Sequence, residues 1–179
     1  MKRFILAVGC IALCSMPGLA QKKAAAGHAA MSDQQFVDFA AQTDMVEANL
    51  GQLAQDVAAK PDVKDYGKML VTDHTNDFNQ LYTLAQQANL TRPNAIDAEN
   101  NKTMIDPFQK LKGAAFDRRY LREMVAGHTK AIAIYKKEAA DAQNPALKSY
   151  AEQALPVLQK HLDDAKALEQ GKTPPQPMS

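Results

Sequence analysis

The chain has no tryptophan, only two cysteines and few of the β-branched residues that strands favour. Alanine, glutamine, lysine, aspartate and leucine dominate instead. These residues, apart from aspartate, are good helix formers, so the composition excludes an all-β fold and predicts an all-α protein. With 179 residues the chain is long enough for one domain whose stability comes from packing.

The chain also lacks a surplus of positive charge. Its 21 lysines and arginines are balanced by 20 aspartates and glutamates, and the basic residues form no cluster. A nucleic-acid-binding protein needs such a cluster to neutralise phosphates, so nucleic acid is excluded as a partner. No apolar run after residue 20 approaches the roughly 18 residues of a membrane-spanning helix, so no transmembrane segment is expected after signal cleavage.

The first twenty residues resemble a secretory signal peptide. Lys2 and Arg3 precede the apolar stretch 4–13, and the small residues at 18–20 suit signal peptidase. We expect cleavage after Ala20, which removes both cysteines and sends the protein to the periplasm or cell envelope. Residues 21–31 are rich in small side chains and are interpreted as a flexible spacer.

Helix start and stop signals divide the remainder into four long helices. Ser32 and Gln35 form a capping box, Pro61 and Pro145 each begin a new helix, and Gly171 ends the last one. We therefore predict a four-helix bundle over residues 32–170, with a disordered tail at 171–179. Its helices are predicted at 32–60, 61–88, 114–142 and 145–169, with a short extra helix at 104–112. The connection between helices two and three is either short or a long crossover. The inner face of the first helix is expected to hold Phe36, Phe39, Thr43, Val46, Leu50, Leu53 and Val57.

Four polar residues interrupt the apolar inner faces of these helices. Glu47 and His74 lie at nearly equal distances from Pro61, and His128 and His161 lie at nearly equal distances from Pro145. Because an α-helix rises a constant 1.5 Å per residue, each pair is level, and the two pairs meet near mid-helix. The sequence therefore predicts a polar layer across the core.

This layer has two interpretations. It is either a hydrogen-bonded layer that fixes helix register, or a metal site, since neutral imidazole is the commonest transition-metal ligand. In the second case the ligands are His74, His128, His161 and Glu47, and the donor set admits zinc, copper or iron. Possible supporting residues, from their spacing to the histidines, are Asp77, Asp164 and Met124.

Catalytic motifs are missing from the sequence. It contains no nucleophile elbow, phosphate-binding loop, CxxC or HExxH motif. A di-iron carboxylate site needs glutamate three residues before its histidines, and Val71, Val125 and Leu158 occupy those positions. An enzymatic role therefore has no support beyond an open position on a bound metal. The alternative to metal binding is a non-enzymatic envelope scaffold or interaction protein.

Three segments resemble one bacterial protein family. They are residues 69–74 (MLVTDH), residues 113–120 (GAAFDRRY) followed by Met124 and His128, and residues 155–161 (LPVLQKH). The resemblance covers about residues 33–169 and is to exported proteins of unknown function, often labelled as outer membrane proteins. It implies a ferritin-like four-helix bundle and an envelope location, and it brings no established activity.

Overall fold

The computed structural model describes residues 31–174, and every regular element in that range is helical. This confirms the predicted all-α bundle. The predicted signal peptide, nearly all of the spacer and residues 175–179 of the predicted tail lie outside the described residues. None of the described helices has the length and apolar character needed to cross a membrane. The helices are α1 (Asp33–Val57), α2 (Pro61–Gln87), the short α3 (Ala98–Asn100), α4 (Gly113–Asp141) and α5 (Pro145–Glu169).

The capping signals seen in the sequence define the helix starts. The Ser32 hydroxyl accepts a hydrogen bond from the Gln35 amide at 3.2 Å, and the Gln35 side chain accepts one from the Ser32 amide at 2.9 Å. Pro61 and Pro145 lie in the first turns of α2 and α5, where a missing amide hydrogen removes no helical bond. The predicted capping box and both proline starts are therefore confirmed.

The short extra helix lies earlier than predicted. It begins with α3, where the Asp97 carboxylate accepts a hydrogen bond from the Asn100 amide at 2.7 Å. It continues as a π-helical turn, Asn101–Ile105, and a 3-10 turn, Asp106–Phe108. The predicted range 104–112 overlaps this helical stretch at 104–108 but begins too late, because the Asp97 cap stands in a polar stretch that resembles a loop, and that cap starts the helical conformation.

The connection between α2 and α4 is the long crossover, an alternative that the sequence left open. Gln34, near the start of α1, bonds Thr91 just after α2. At the other end of the bundle, Asp117 of α4 accepts hydrogen bonds from the Ala59 and Lys60 amides in the α1–α2 turn. The connection therefore travels the length of the bundle, and α2 and α4 run in the same direction.

Packing divides the bundle into two tight hairpins, α1–α2 and α4–α5. The seams between the hairpins, α1 with α4 and α2 with α5, are looser. One hydrophobic cluster, around Leu50, Tyr66 and Phe116, fills the end that holds the α1–α2 turn. A second cluster, around Phe36 and Leu81, fills the other end. The two clusters position the polar residues of mid-helix between them.

The inner face of α1 differs from the expected heptad. Phe36, Val46 and Leu50 are buried, whereas the other four expected positions, Phe39, Thr43, Leu53 and Val57, are only partly buried. Small residues take the face because α1 and α2 approach very closely, so that a Cβ added to Gly51 would lie 2.6 Å from the Gly67 carbonyl oxygen. The remaining buried residues of this face are Val37, Ala40, Ala41, Asp44, Glu47, Gly51 and Ala54.

Asp117 ties α4 to the α1–α2 turn, and its loss is expected to destabilise the fold. Asp117→Ala leaves two turn amides without their charged acceptor and should lower the free energy of unfolding by about 2 kcal/mol. Urea unfolding measures this change. Asp56→Ala, on the exposed surface of the last turn of α1, is the control and should change stability by less than about 0.5 kcal/mol. Equal effects of the two substitutions would contradict the role of Asp117.

Candidate metal centre

Each long helix contributes one side chain to a buried polar layer. We use this name for Glu47 of α1, His74 of α2, His128 of α4 and His161 of α5, all of which are almost completely buried. Each of the three histidines offers a ring nitrogen, and these three nitrogens lie within 4.8 Å of one another. The structure thus brings together the four residues that helix spacing placed at one height.

The layer is compact around the Glu47 carboxylate. Glu47 Oε2 lies 2.9 Å from His74 Nε2 and 3.1 Å from His128 Nε2. His128 Nε2 in turn lies 3.2 Å from His161 Nδ1. Three ring nitrogens therefore lie close together, and the Glu47 carboxylate lies against two of them.

The other nitrogen of each ring is anchored from outside the layer. His74 Nδ1 lies 2.9 Å from an Asp44 carboxylate oxygen, and His161 Nε2 lies 2.8 Å from Asp73 Oδ2. His128 Nδ1 lies 2.9 Å from the Met124 carbonyl oxygen. Metal-ligating histidines are held in this way, with the second N–H donated to a carboxylate or a carbonyl.

These anchors determine which inner nitrogens carry lone pairs. A carbonyl oxygen can only accept, so His128 donates from Nδ1 and its Nε2 is a lone pair in the neutral ring. The same reasoning applies to His161, which donates from Nε2 to the Asp73 carboxylate. Two lone pairs therefore face each other across 3.2 Å, with the Glu47 oxygen beside them.

The contact between His74 and Glu47 is also incompletely satisfied. Although the atoms lie 2.9 Å apart, His74 Nε2 and Glu47 Oε2 do not meet hydrogen-bond geometry, and neither atom has another hydrogen-bond partner. A buried polar atom without a partner costs about 1 to 3 kcal/mol. A cation at the centre of the layer would satisfy all of these atoms together.

The electrostatics of the layer keep two imidazoles neutral. Burial lowers the pKa of His161 to about 4, despite its hydrogen bond to Asp73, and burial also lowers the pKa of His128. Burial would raise the pKa of Glu47, but His128 and His74 outweigh it and lower that pKa to about 2. His128 and His161 therefore present neutral nitrogen donors beside an ionised carboxylate, the forms in which these groups bind metals.

His74 differs from the other two histidines. Burial opposes its charge, but the adjoining Glu47 and Asp44 outweigh burial and raise its pKa well above the usual value. Burial also raises the pKa of Asp44 to about 7, against the hydrogen bond from His74. In the metal-free protein the positive charge of the layer is therefore held on His74.

The supporting residues suggested by the sequence bond elsewhere. The Asp77 carboxylate accepts from the Tyr150 hydroxyl at 2.7 Å, and Asp164 accepts from Lys160 at 2.7 Å. Met124 contacts the layer through its carbonyl oxygen, while its side chain belongs to the hydrophobic cluster near the α1–α2 turn. None of these three contributes a side-chain hydrogen bond to a layer histidine within the described residues.

Sequence reasoning missed Asp44 and Asp73, the two carboxylates that anchor the rings. Asp44 lies one turn before Glu47, a spacing that places both on one face of α1. Asp73 neighbours His74 but faces away from that ring, toward His161 of α5. The spacing of Asp44 was a usable signal, whereas the role of Asp73 depends on which helix lies beside α2.

The chain is similar to known proteins in both family and fold. Residues 18–168 match the family described as "Domain of unknown function (DUF4142)". No curated protein matches the sequence.

Several solved structures share the helical arrangement. CopM in an Ag-bound form has a TM-score of 0.65 and 18% identity, over 79% of this chain and 97% of that chain. CopM in the Cu(I)-bound form has a TM-score of 0.62 and 16% identity with the same coverage. CopM in the apo form has a TM-score of 0.62 and 17% identity, over 79% of this chain and 98% of that chain. At these identities the likeness shows the fold alone.

Proposed function

We propose that this chain, which belongs to the DUF4142 family, binds one transition-metal ion in its polar layer. The ligands are His74, His128, His161 and Glu47. The observation that carries this proposal is the convergence of three buried imidazole nitrogens, with the Glu47 carboxylate against two of them and with lone pairs of His128 and His161 facing one another. A layer built only for structure would join these atoms by hydrogen bonds.

The residues around the layer support this function. Asp44, Asp73 and the Met124 carbonyl fix the ring orientations, so little freedom is lost when an ion binds. The Glu47 carboxylate provides negative charge at a position that is only 4% exposed. A bound ion would replace the positive charge that His74 carries in the metal-free protein, because His74 must lose a proton to become a ligand. Zinc, copper and iron all accept nitrogen and carboxylate donors, and the donor set does not choose among them.

Among zinc, copper and iron, the structural neighbours favour copper. CopM has been solved in Ag-bound, Cu(I)-bound and Cu(II)-bound forms on the same helical arrangement. This makes copper the first metal to test. We further propose that the protein is exported by residues 1–20 and that it binds metal in the cell envelope, for storage or for protection against metal stress.

The proposed function is tested by titrating chelator-stripped protein with Zn²⁺ and Cu²⁺ in a calorimeter. We expect the titration to give one ion per chain. Melting curves at a free metal concentration about a hundred times Kd should show a melting temperature higher by roughly 5 to 10 °C, and chelator should reverse this rise. Mg²⁺ is the control ion, because it prefers oxygen donors and should produce no shift. The scaffold alternative predicts no shift with any metal, and that result would contradict the proposal.

A further inference from the structure

Both loose seams of the bundle contain a cavity that reaches the polar layer. The cavity between α2 and α5 has a volume of about 330 Å³, and Asp73, His74 and His161 are among its lining residues. The cavity between α1 and α4 has a volume of about 370 Å³ and reaches Glu47 beside Gly127. A third cavity, of about 400 Å³, reaches His74 from the α1–α2 side, where Asp44 holds the outer ring nitrogen Nδ1 and separates the cavity from the centre. The two cavities in the loose seams are therefore the routes to compare.

The α2–α5 cavity has the chemistry of a cation route. It exposes two of the three imidazoles, and its charged lining residues other than histidine are Asp73 and Asp77. The α1–α4 cavity is also acidic, with Asp38, Asp97 and Glu123 beside Lys130 in its wall, but it reaches the layer only at the Glu47 carboxylate. Carboxylates line both cavities, so attraction of a cation does not separate them. Access to the ligands does: the α2–α5 cavity reaches two imidazoles and the Asp73 anchor, and this route is therefore favoured.

Asp73 occupies the boundary between the α2–α5 cavity and the layer. Its side chain is 32% exposed, and its Oδ2 holds His161 Nε2 at 2.8 Å. The other carboxylate anchor, Asp44, is 2% exposed. Asp73 is therefore the anchor that both faces water and contacts a layer histidine.

Resting on the proposed function, we propose that the α2–α5 cavity is the port through which a divalent cation enters the polar layer. Asp73 captures the cation at the mouth, beside the outer edge of the His161 ring, and the cation then moves inward to the lone pair on His161 Nδ1. The α1–α4 cavity is not used for entry.

Two residues at the rim of the α2–α5 cavity can be replaced by tryptophan to block it, and we call these substitutions plugs. Val157 lies one turn before His161 on α5, lines the cavity and is 43% exposed. Gln80 lines the same cavity from α2 and is exposed. Thr43, which has the same shape as valine, lines the α1–α4 cavity and is partly exposed. Tryptophan at these positions narrows one route at a time.

The experiment follows binding of Co²⁺ to the full metal-free protein by stopped-flow absorbance of the d–d bands. Val157→Trp and Gln80→Trp should each slow association and dissociation by at least about tenfold, with Kd within about threefold of wild type, because a plug changes the path and leaves both end states unchanged. The matched control Thr43→Trp should leave both rates within about twofold. Melting curves check the folding of each variant, and the two plugs test the port independently.

Asp73→Asn tests whether the Asp73 carboxylate captures the cation at the mouth of the cavity. It should slow association by about tenfold and weaken the dependence of the association rate on ionic strength, which a purely structural role would not change. Wild-type rates in both plugged variants, or slowing by Thr43→Trp alone, would overturn the port while leaving the metal site intact. Failure of wild-type protein to bind Co²⁺, Zn²⁺ or Cu²⁺ would overturn the proposed function, and the port with it.

Discussion

Replacing His128 by alanine should lower the affinity of the metal-free protein for Zn²⁺ or Cu²⁺ by more than about a hundredfold. Loss of a partner that merely orients a ligand costs about 10- to 100-fold, and loss of a ligand should cost more. His128 is the strongest choice because its Nε2 lies within 3.2 Å of both Glu47 Oε2 and His161 Nδ1. Calorimetric titration of both proteins measures the change.

The same substitution should remove the stabilisation that the metal provides. In metal-free protein, His128→Ala relieves the contact between facing lone pairs but leaves a cavity in a fully buried site. The informative quantity is therefore the difference in melting temperature with and without metal, which should fall to near zero in the variant. This difference separates loss of binding from loss of packing.

Asp44→Asn provides a graded comparison. It retains the shape of the anchor but removes the charge that holds His74 Nδ1, so affinity should fall by about 10- to 100-fold, less than for His128→Ala. A purely structural layer predicts no metal effect for either variant. If His128→Ala bound metal as tightly as wild type, the assignment of the ligands would be wrong.

Replacing Gly67 by alanine should lower the free energy of unfolding by about 2 to 3 kcal/mol. A Cβ at this position would lie 2.7 Å from the Gly51 carbonyl oxygen and 2.8 Å from the Ala54 Cβ. Neither neighbour can rotate away, so α1 and α2 must separate. The overpacking outweighs the gain of about 1 kcal/mol that alanine brings to a helix interior.

This close approach also positions the polar layer. Asp44 and Glu47 lie on α1 and His74 lies on α2, so helices that separate at Gly67 should also weaken metal binding. Gly51→Ala should lower the free energy of unfolding less in the Gly67→Ala variant than in the wild-type chain, because the same helix separation accommodates both methyl groups. Urea unfolding of the single and double variants measures this non-additivity.

Gly127→Ala is the matched control for Gly67→Ala. Its added Cβ meets only Glu47 Oε1, at 3.2 Å, and that atom is the tip of a side chain. Fold stability should therefore change by less than about 1 kcal/mol. If Gly67→Ala were as stable as Gly127→Ala, contact between the two helix backbones would not determine the α1–α2 spacing.

The heights of the layer residues were predictable from the sequence because they depend only on local geometry. Each proline hinge fixes a starting point, and the constant rise of a helix places Glu47 level with His74, and His128 level with His161. Burial also followed from the sequence, since each of these residues stands where its helix otherwise places apolar side chains.

The partners of the layer residues were less predictable because they depend on helix rotation and on neighbour choice. The contact between Asp73 and His161 requires α2 and α5 to be adjacent, and the crossover connection decides that adjacency. The inner face of α1 was misassigned at several positions, since the close approach at Gly51 favours small residues over the larger ones of the heptad. Each of these features arises from packing between helices.

The most direct test of the metal site is anomalous diffraction from crystals of the metal-free protein loaded with Zn²⁺. The account predicts a single strong peak inside the bundle, about 2.0 to 2.2 Å from Nε2 of His74, Nε2 of His128, Nδ1 of His161 and a Glu47 oxygen. Peaks confined to surface carboxylates, with the three imidazoles bridged by hydrogen bonds or water, would contradict it.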